Sequence, residues 1–208
     1  MAEKKIKLYP AQFDFVVCKD NYSGFIGGIG SGKTFAGVYK ALQQIASGKK
    51  TVGMVVAPTY GMLRDSTLRK FQEIAQPAIV EFKKQEMLAT MRGGHEILFR
   101  SAEDPDHLRG PNLNWVWIDE AGLTQELTWD VCIGRLRSDK EFGHIWVTST
   151  PSGKRHWLYN RAQNMAVFKA STLDNPNVSE EWKQSLLKEY TGNFLRQLVE
   201  RFGLTVAE

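Results

Sequence analysis

The stretch Gly27-Gly28-Ile29-Gly30-Ser31-Gly32-Lys33-Thr34 satisfies the pattern G-x-x-x-x-G-K-[ST] and constrains the chain more than any other feature. It follows the apolar pair Phe25-Ile26. It opens a segment in which Phe35, Ala36, Val38, Tyr39, Ala41, Leu42 and Ile45 recur at three- and four-residue spacing up to Ser47-Gly48. Strand, glycine-rich turn and helix in that order form a phosphate-binding loop. Glycines admit positive φ and let backbone N–H groups approach phosphate oxygens with no Cβ in the way. Gly28, Gly30, Ser31, Gly32, Lys33 and Thr34 are therefore candidate contacts to a nucleotide. Lys33 supplies a mobile cation for the β- and γ-phosphates, Thr34 a hydroxyl for Mg²⁺, and the helix N-terminus points at the anion.

The rest of the chain bounds what surrounds this loop. Its 208 residues, 42% hydrophobic and 24% charged, suffice for one substantial core, with room for a small appended subdomain. No apolar run approaches the ~20 residues of a membrane span, and Met1 to Pro10, with Lys4, Lys5 and Lys7, lacks the apolar core of a secretory signal. A cytoplasmic setting and no membrane partner are expected. Cys18 and Cys132 are too isolated for a zinc site or a disulfide framework and read as buried thiols. A net charge of +4 permits nucleic-acid binding without requiring it.

Taken in order, Tyr9-Pro10-Ala11-Gln12 reads as a short helix with Pro10 in its first turn. This places Tyr9 and Gln12 near a nucleotide base, whose adenine edge a glutamine amide can read. Thr51 to Ala57 is a buried parallel strand ended by Pro58, which completes a strand–helix–strand unit. Gly61 to Gln76 is helical, and its Arg69 and Lys70, with Arg100 further on, are candidate contacts to a DNA backbone. Gln85 to Ser101, turning at Gly93-Gly94, has the alternation of a β-hairpin. Trp115 to Ile118 is a central strand with two carboxylates at its C-terminal end, where open α/β sheets bind ligands. Asp119 is the expected partner of Mg²⁺ and Glu120 the residue that polarises an attacking water, which favours hydrolysis. A helix over Gln125 to Leu136 and a strand over His144 to Thr150 follow, and Thr148, Ser149 and Thr150 stand where a γ-phosphate is sensed. Beyond Lys154 come a short strand at Ala166-Val167-Phe168 and helices from Ser179, an N-cap, to Arg201.

These pieces together resemble the ATPase domain of the large terminase subunit, the DNA-packaging motor of tailed bacteriophages. The resemblance rests on Tyr9-Pro10-Ala11-Gln12 as adenine motif, Gly27 to Thr34 as Walker A and Ala57-Pro58-Thr59 after the second strand. It also rests on Asp104 to Gly110, Trp115 to Glu120 as Walker B with its catalytic glutamate, Ser149 to Gly153 as coupling motif, and Asp174-Asn175-Pro176. It implies an α/β P-loop NTPase of the ASCE type, RecA- or helicase-like. A mainly parallel sheet flanked by helices, an added antiparallel hairpin and a small C-terminal helical subdomain are expected, with residues 1–172 as ATPase core and 173–208 leading toward a nuclease domain.

ATP and Mg²⁺ are the implied cofactors. The implied partners are double-stranded DNA, a portal protein, a small terminase subunit and a homo-oligomeric ring, with five subunits the favoured count and a monomer in isolation. The implied location is the host cytoplasm, transiently on the procapsid. Many relatives carry an arginine where this chain has Ile29, so the catalytic cation is sought elsewhere. Arg109, in the family's Leu-Arg-Gly motif, precedes the Walker B strand. A strand of about five residues at ~3.3 Å each separates its two edges by roughly 16 Å, which favours action in trans on a neighbour's ATP. Arg135 and Arg137 are the runners-up. A helicase-like ATPase and a nucleotide-dependent scaffold share the Walker pair and remain the competing readings.

Overall fold

The computed structural model describes residues 7–46, 48–137 and 143–190. Among these residues eight strands form one sheet: β1 (Tyr22–Gly27), β2 (Val52–Ala57), β3 (Ile79–Lys83), β4 (Leu88–Met91), β5 (Glu96–Ser101), β6 (Trp115–Asp119), β7 (His144–Ser149) and β8 (Ala166–Ala170). Their order across the sheet is β3-β4-β5-β2-β6-β7-β1-β8. All neighbours from β5 to β8 run parallel, and β3 and β4 are antiparallel additions at one edge. The expected hairpin is present as β4 and β5, with Gly93 and Gly94 in the left-handed region at its turn. Strand β3 went unread, because an edge strand that exposes Val80, Glu81 and Lys83 carries no continuous apolar run.

Among the described residues six helices flank the sheet: α1 (Pro10–Val17), α2 (Lys33–Ile45), α3 over 60–75, α4 (Glu126–Ile133), α5 (Trp157–Ala162) and α6 (Glu180–Glu189). Pro10 occupies the first position of α1, and the Ser179 side chain accepts from the Trp182 N–H to cap α6. The continuation expected toward Arg201 lies outside the described residues. Helix α3 is not uniform: Tyr60–Met62 and Arg69–Ala75 are α-helical, and Leu63–Leu68 between them is π-helical.

The core forms on both faces of the sheet, because side chains alternate along each central strand. From β6, Trp115 and Trp117 join Phe15, Phe25, Val38 and Trp146 on one face, and Val116 and Ile118 join Leu113, Trp129, Ile145 and Val147 on the other. The tryptophans need glycine opposite them. A Cβ on Gly53 would lie 2.0 Å from the Trp115 ring, and one on Gly37 2.3 Å from the Trp117 ring. Cys18 and Cys132 are free thiols, and no described helix is long and apolar enough to cross a membrane.

Candidate active site: a glycine-rich cleft at the strand ends

The C-terminal ends of β1, β6 and β7 meet the N-terminus of α2 at a cleft of about 760 Å³, lined by Gln12, Gly30, Gly32, Lys33, Thr34, Glu120 and Thr150 among others. Gly30 (φ 70°) and Gly32 (φ 77°) hold the left-handed geometry that lets the loop turn back on itself. Four side chains from two segments fix the loop's carbonyls. The Tyr9 hydroxyl donates to Ser31, Gln12 Nε2 donates to Gly32 at 3.2 Å, Thr172 Oγ1 to Ile29 at 2.6 Å and Asn175 Nδ2 to Gly30 at 2.6 Å. The free N–H groups of the first turn of α2 are left for an anion. Two positions are occupied otherwise: the Gly28 N–H donates to Ala170 and the Ser31 N–H to Gly28.

Beneath the loop lies Asp119, only 1% exposed. Three hydroxyls converge on its carboxylate: Thr148 donates to Oδ1 at 2.6 Å, Thr67 to Oδ2 at 2.8 Å, and Thr34 lies 3.2 and 3.3 Å from the two oxygens. Burial, with the charge of Glu120 second, raises its pKa to about 6 against the pull of Thr148, Thr67 and Lys33. Thr148 is itself fixed, accepting from Trp117 Nε1 at 2.8 Å.

The next residue, Glu120, has φ 47° and ψ 45°. A non-glycine residue held there is strained, and here the turn swings its carboxylate out of the strand into the cleft. Glu120 Oε1 stands 3.7 Å from Lys33 Nζ, which also donates to the Gly28 carbonyl at 3.0 Å. Thr150 approaches Glu120 Oε2 through its N–H at 3.4 Å and Oγ1 at 3.5 Å. A cation, a carboxylate aimed at solvent and a buried carboxylate with a hydroxyl thus surround one anion-sized space.

Residues 19–200 match the family model described as phage terminase large subunit. The chain belongs to that family. Among curated relatives, the PBSX phage terminase large subunit of Bacillus subtilis (strain 168) is 25% identical over 175 residues, 82% of this chain and 40% of that protein. Among solved structures, a large terminase from a thermophilic bacteriophage superposes with TM-score 0.78 at 16% identity, covering 91% of this chain and 52% of that one. The Thermus phage P74-26 large terminase ATPase domain superposes with TM-score 0.74 at 21% identity, over 93% of this chain and 92% of that one. The expected terminase fold is therefore present, and the chain spans about half the length or less of full-length relatives.

Lys33, Thr34, Asp119, Glu120 and Thr150 gather at the cleft. Tyr9 and Gln12 reach the loop backbone, and Gln12, 3% exposed, also lines the cleft. Of the hydroxyl run, Thr148 serves Asp119 and the Ser149 hydroxyl accepts from the Gly122 N–H, so Thr150 alone faces the cleft. Arg109 is exposed on the loop after the 3₁₀ turn Pro105–Leu108, paired with Asp106 at 2.6 Å, and does not line its own cleft. Arg135 is half-buried, and Arg137 donates to Asn112 at 2.9 Å.

The three candidate DNA contacts do not form one patch. Arg69 is exposed on α3, whereas Lys70 lines the cleft beside Glu73, its partner at 2.7 Å. Arg100 donates to the carbonyls of Glu86, Met87 and Phe99, and burial lowers its pKa. Its guanidinium braces the β4–β5 edge.

Sequence reading missed Thr67, Thr172 and Lys70 as members of the site. Thr172 precedes the Asp174-Asn175-Pro176 motif, which marks this region without showing its target. Thr67 sits in a helical stretch with no motif, and only the fold brings it to Asp119.

Proposed function

We propose that this chain is the ATP-hydrolysing part of a terminase large subunit that drives double-stranded DNA into a procapsid. The observation that carries the reading is the Lys33–Glu120 pair at 3.7 Å across the cleft, with Thr34 and Asp119 joined beneath it. The amides of Gly30, Gly32, Lys33 and Thr34 and the Lys33 ammonium bind the phosphates of ATP, and Gln12 and Tyr9 hold the loop that does so. The left-handed glycines suit a close-approaching polyphosphate. Thr34 and Asp119 offer hard oxygens that would hold Mg²⁺, an ion that keeps most of its waters and binds through one or two protein groups plus phosphate. When bound, such an ion neutralises charge on the β- and γ-phosphates. A phosphate that draws Lys33 away leaves the Glu120 carboxylate to accept a proton from water and orient it for attack.

Arg109 is assigned as an arginine finger acting in trans across a homo-oligomeric ring, five subunits the favoured number, with the isolated chain monomeric. Mixed rings test this assignment. Arg109→Ala and Glu120→Gln, each inactive alone, recover partial activity together; full activity of Arg109→Ala alone rejects it. Arg69 remains the assigned DNA-phosphate contact. The segment from residue 173 on is assigned as the lead toward a separate nuclease domain, and its residues after 190 lie outside the described ones. Portal protein and small terminase subunit are the assigned partners, in host cytoplasm at the procapsid.

The experiment is packaging by the full-length subunit, read as nuclease-protected DNA inside procapsids. Glu120→Gln is expected to abolish protection. Unimpaired packaging by that variant, or strand separation of a forked duplex in its place, would reject the motor reading.

A further inference from the structure

Helix α3 contacts the site through a residue that belongs to no nucleotide-binding motif. Thr67 is 2% exposed and its Oγ1 donates to Asp119 Oδ2 at 2.8 Å, across 52 positions of sequence. A threonine inside a helix ordinarily returns its hydroxyl to a carbonyl one turn back, or faces solvent. Here it does neither. The reason lies in the backbone, since Thr67 belongs to the π-helical turn Leu63–Leu68. Such turns insert a residue into the α-helical register and re-aim the side chains around it, and they concentrate at functional sites.

The surrounding packing fixes this aim. Leu63, Leu68 and Phe71 are buried on the core side, while Arg64, Asp65, Ser66 and Arg69 are exposed on the other. The backbone of the turn therefore holds Thr67 on the core side, facing Asp119. Each carboxylate oxygen carries one short hydroxyl bond, Thr148 on Oδ1 and Thr67 on Oδ2, and Thr34 reaches both. The first two come from β7 and α3, outside the glycine-rich loop. They fix the plane of the carboxylate, and with it the direction of the remaining lone pairs toward Thr34.

We infer that Thr67 is a positioning residue for the metal-binding carboxylate, aimed by the π turn of α3. This rests on the assignment of Thr34 and Asp119 to Mg²⁺. Partners of metal ligands act by orienting them, and their loss typically weakens metal affinity by about 10- to 100-fold.

The test uses Mn²⁺ as a paramagnetic probe and measures its binding to the ADP complex by electron paramagnetic resonance, alongside ADP binding without metal and thermal unfolding. Thr67→Val keeps the shape and removes the hydroxyl. It is expected to weaken Mn²⁺ binding by about tenfold or more, with metal-free ADP affinity unchanged and the melting temperature within a few degrees. Thr67→Ser should bind Mn²⁺ within about twofold of the parent, since the donor is restored. Unchanged Mn²⁺ affinity in Thr67→Val, or equal loss in the valine and serine forms, would overturn the inference. If the valine form does not fold, Thr67→Ala is measured in its place. Failure of both to fold would show that the hydroxyl supports the fold and not the metal site. A parent protein that binds ADP but no Mn²⁺ would instead overturn the metal assignment itself.

Discussion

Two lysines on α2, seven residues apart and so on one face of the helix, are both buried, and they behave oppositely. Lys33, 7% exposed, faces an exchangeable partner: its carboxylate neighbour Glu120 is 25% exposed and lines the cleft. Lys40, 1% exposed, is closed in. Its ammonium donates to the carbonyls of Phe15 at 2.9 Å and Cys18 at 2.7 Å, at the C-terminal end of α1, and lies 5.0 Å from the centre of the Phe15 ring. A cation there satisfies carbonyls that the helix leaves open and meets the negative end of its dipole. Burial lowers the Lys40 pKa to about 8, with the charges of Cys18 and Asp20 pulling the other way. A buried charge held by carbonyls anchors one helix to another, whereas one held by a solvent-facing carboxylate is free to change partners.

The largest expected effect sharpens this contrast at Lys33. Lys33→Ala should lower ATP turnover by about 10³-fold and weaken nucleotide binding, with the unfolding free energy altered by no more than about 1 kcal/mol. A turnover assay and a denaturation curve on the same protein decide it, and a large stability loss would break the contrast. Lys40→Met should do the reverse. Leaving the buried Phe15 carbonyl and the half-buried Cys18 carbonyl without this donor costs roughly 1–3 kcal/mol, and turnover by the folded fraction should stay within about twofold. Lost turnover in well-folded Lys40→Met would make Lys40 part of the site.

How far each region was legible follows from the same difference. Lys33 stands in a motif whose residues are neighbours in sequence, so the loop, the helix after it and the Asp119-Glu120 pair could be placed from spacing alone. Strands β2, β6 and β7 were equally readable, because strands buried on both faces are continuous apolar runs. Lys40 looks like any polar residue within an amphipathic helix, and its partners come from a helix more than twenty residues away. The same limit hid Thr67, whose aim depends on a π turn with no sequence signature, and β3, whose exposed face interrupts its pattern. Lys70, expected at a DNA backbone, lines the cleft, which its sequence did not announce for a related reason: a cation on a helix face shows its charge in sequence but not which neighbour that face meets.

A smaller effect separates the two lysines by pH. The folded pKa of Lys40, about 8, lies below the ordinary 10.5. Between those values the unfolded chain binds more protons than the folded one, so the Lys40 contribution makes stability rise with pH across that window and level off on either side. Between pH 8 and 9 the rise should be about 1 kcal/mol, seen as the difference between the parent and Lys40→Met in parallel denaturation series, and Lys33→Ala should retain it. A parent and Lys40→Met with equal slopes would remove the buried-charge account of Lys40.

The central claim is that the two sides of the cleft have separate duties, Lys33 gripping phosphate and Glu120 readying water. Glu120→Gln tests it most directly, with ATP binding measured by titration and hydrolysis by phosphate release on one preparation. The account predicts ATP affinity within a few-fold of the parent and turnover lowered by about 10²- to 10⁴-fold. Parent-like turnover in Glu120→Gln would contradict it.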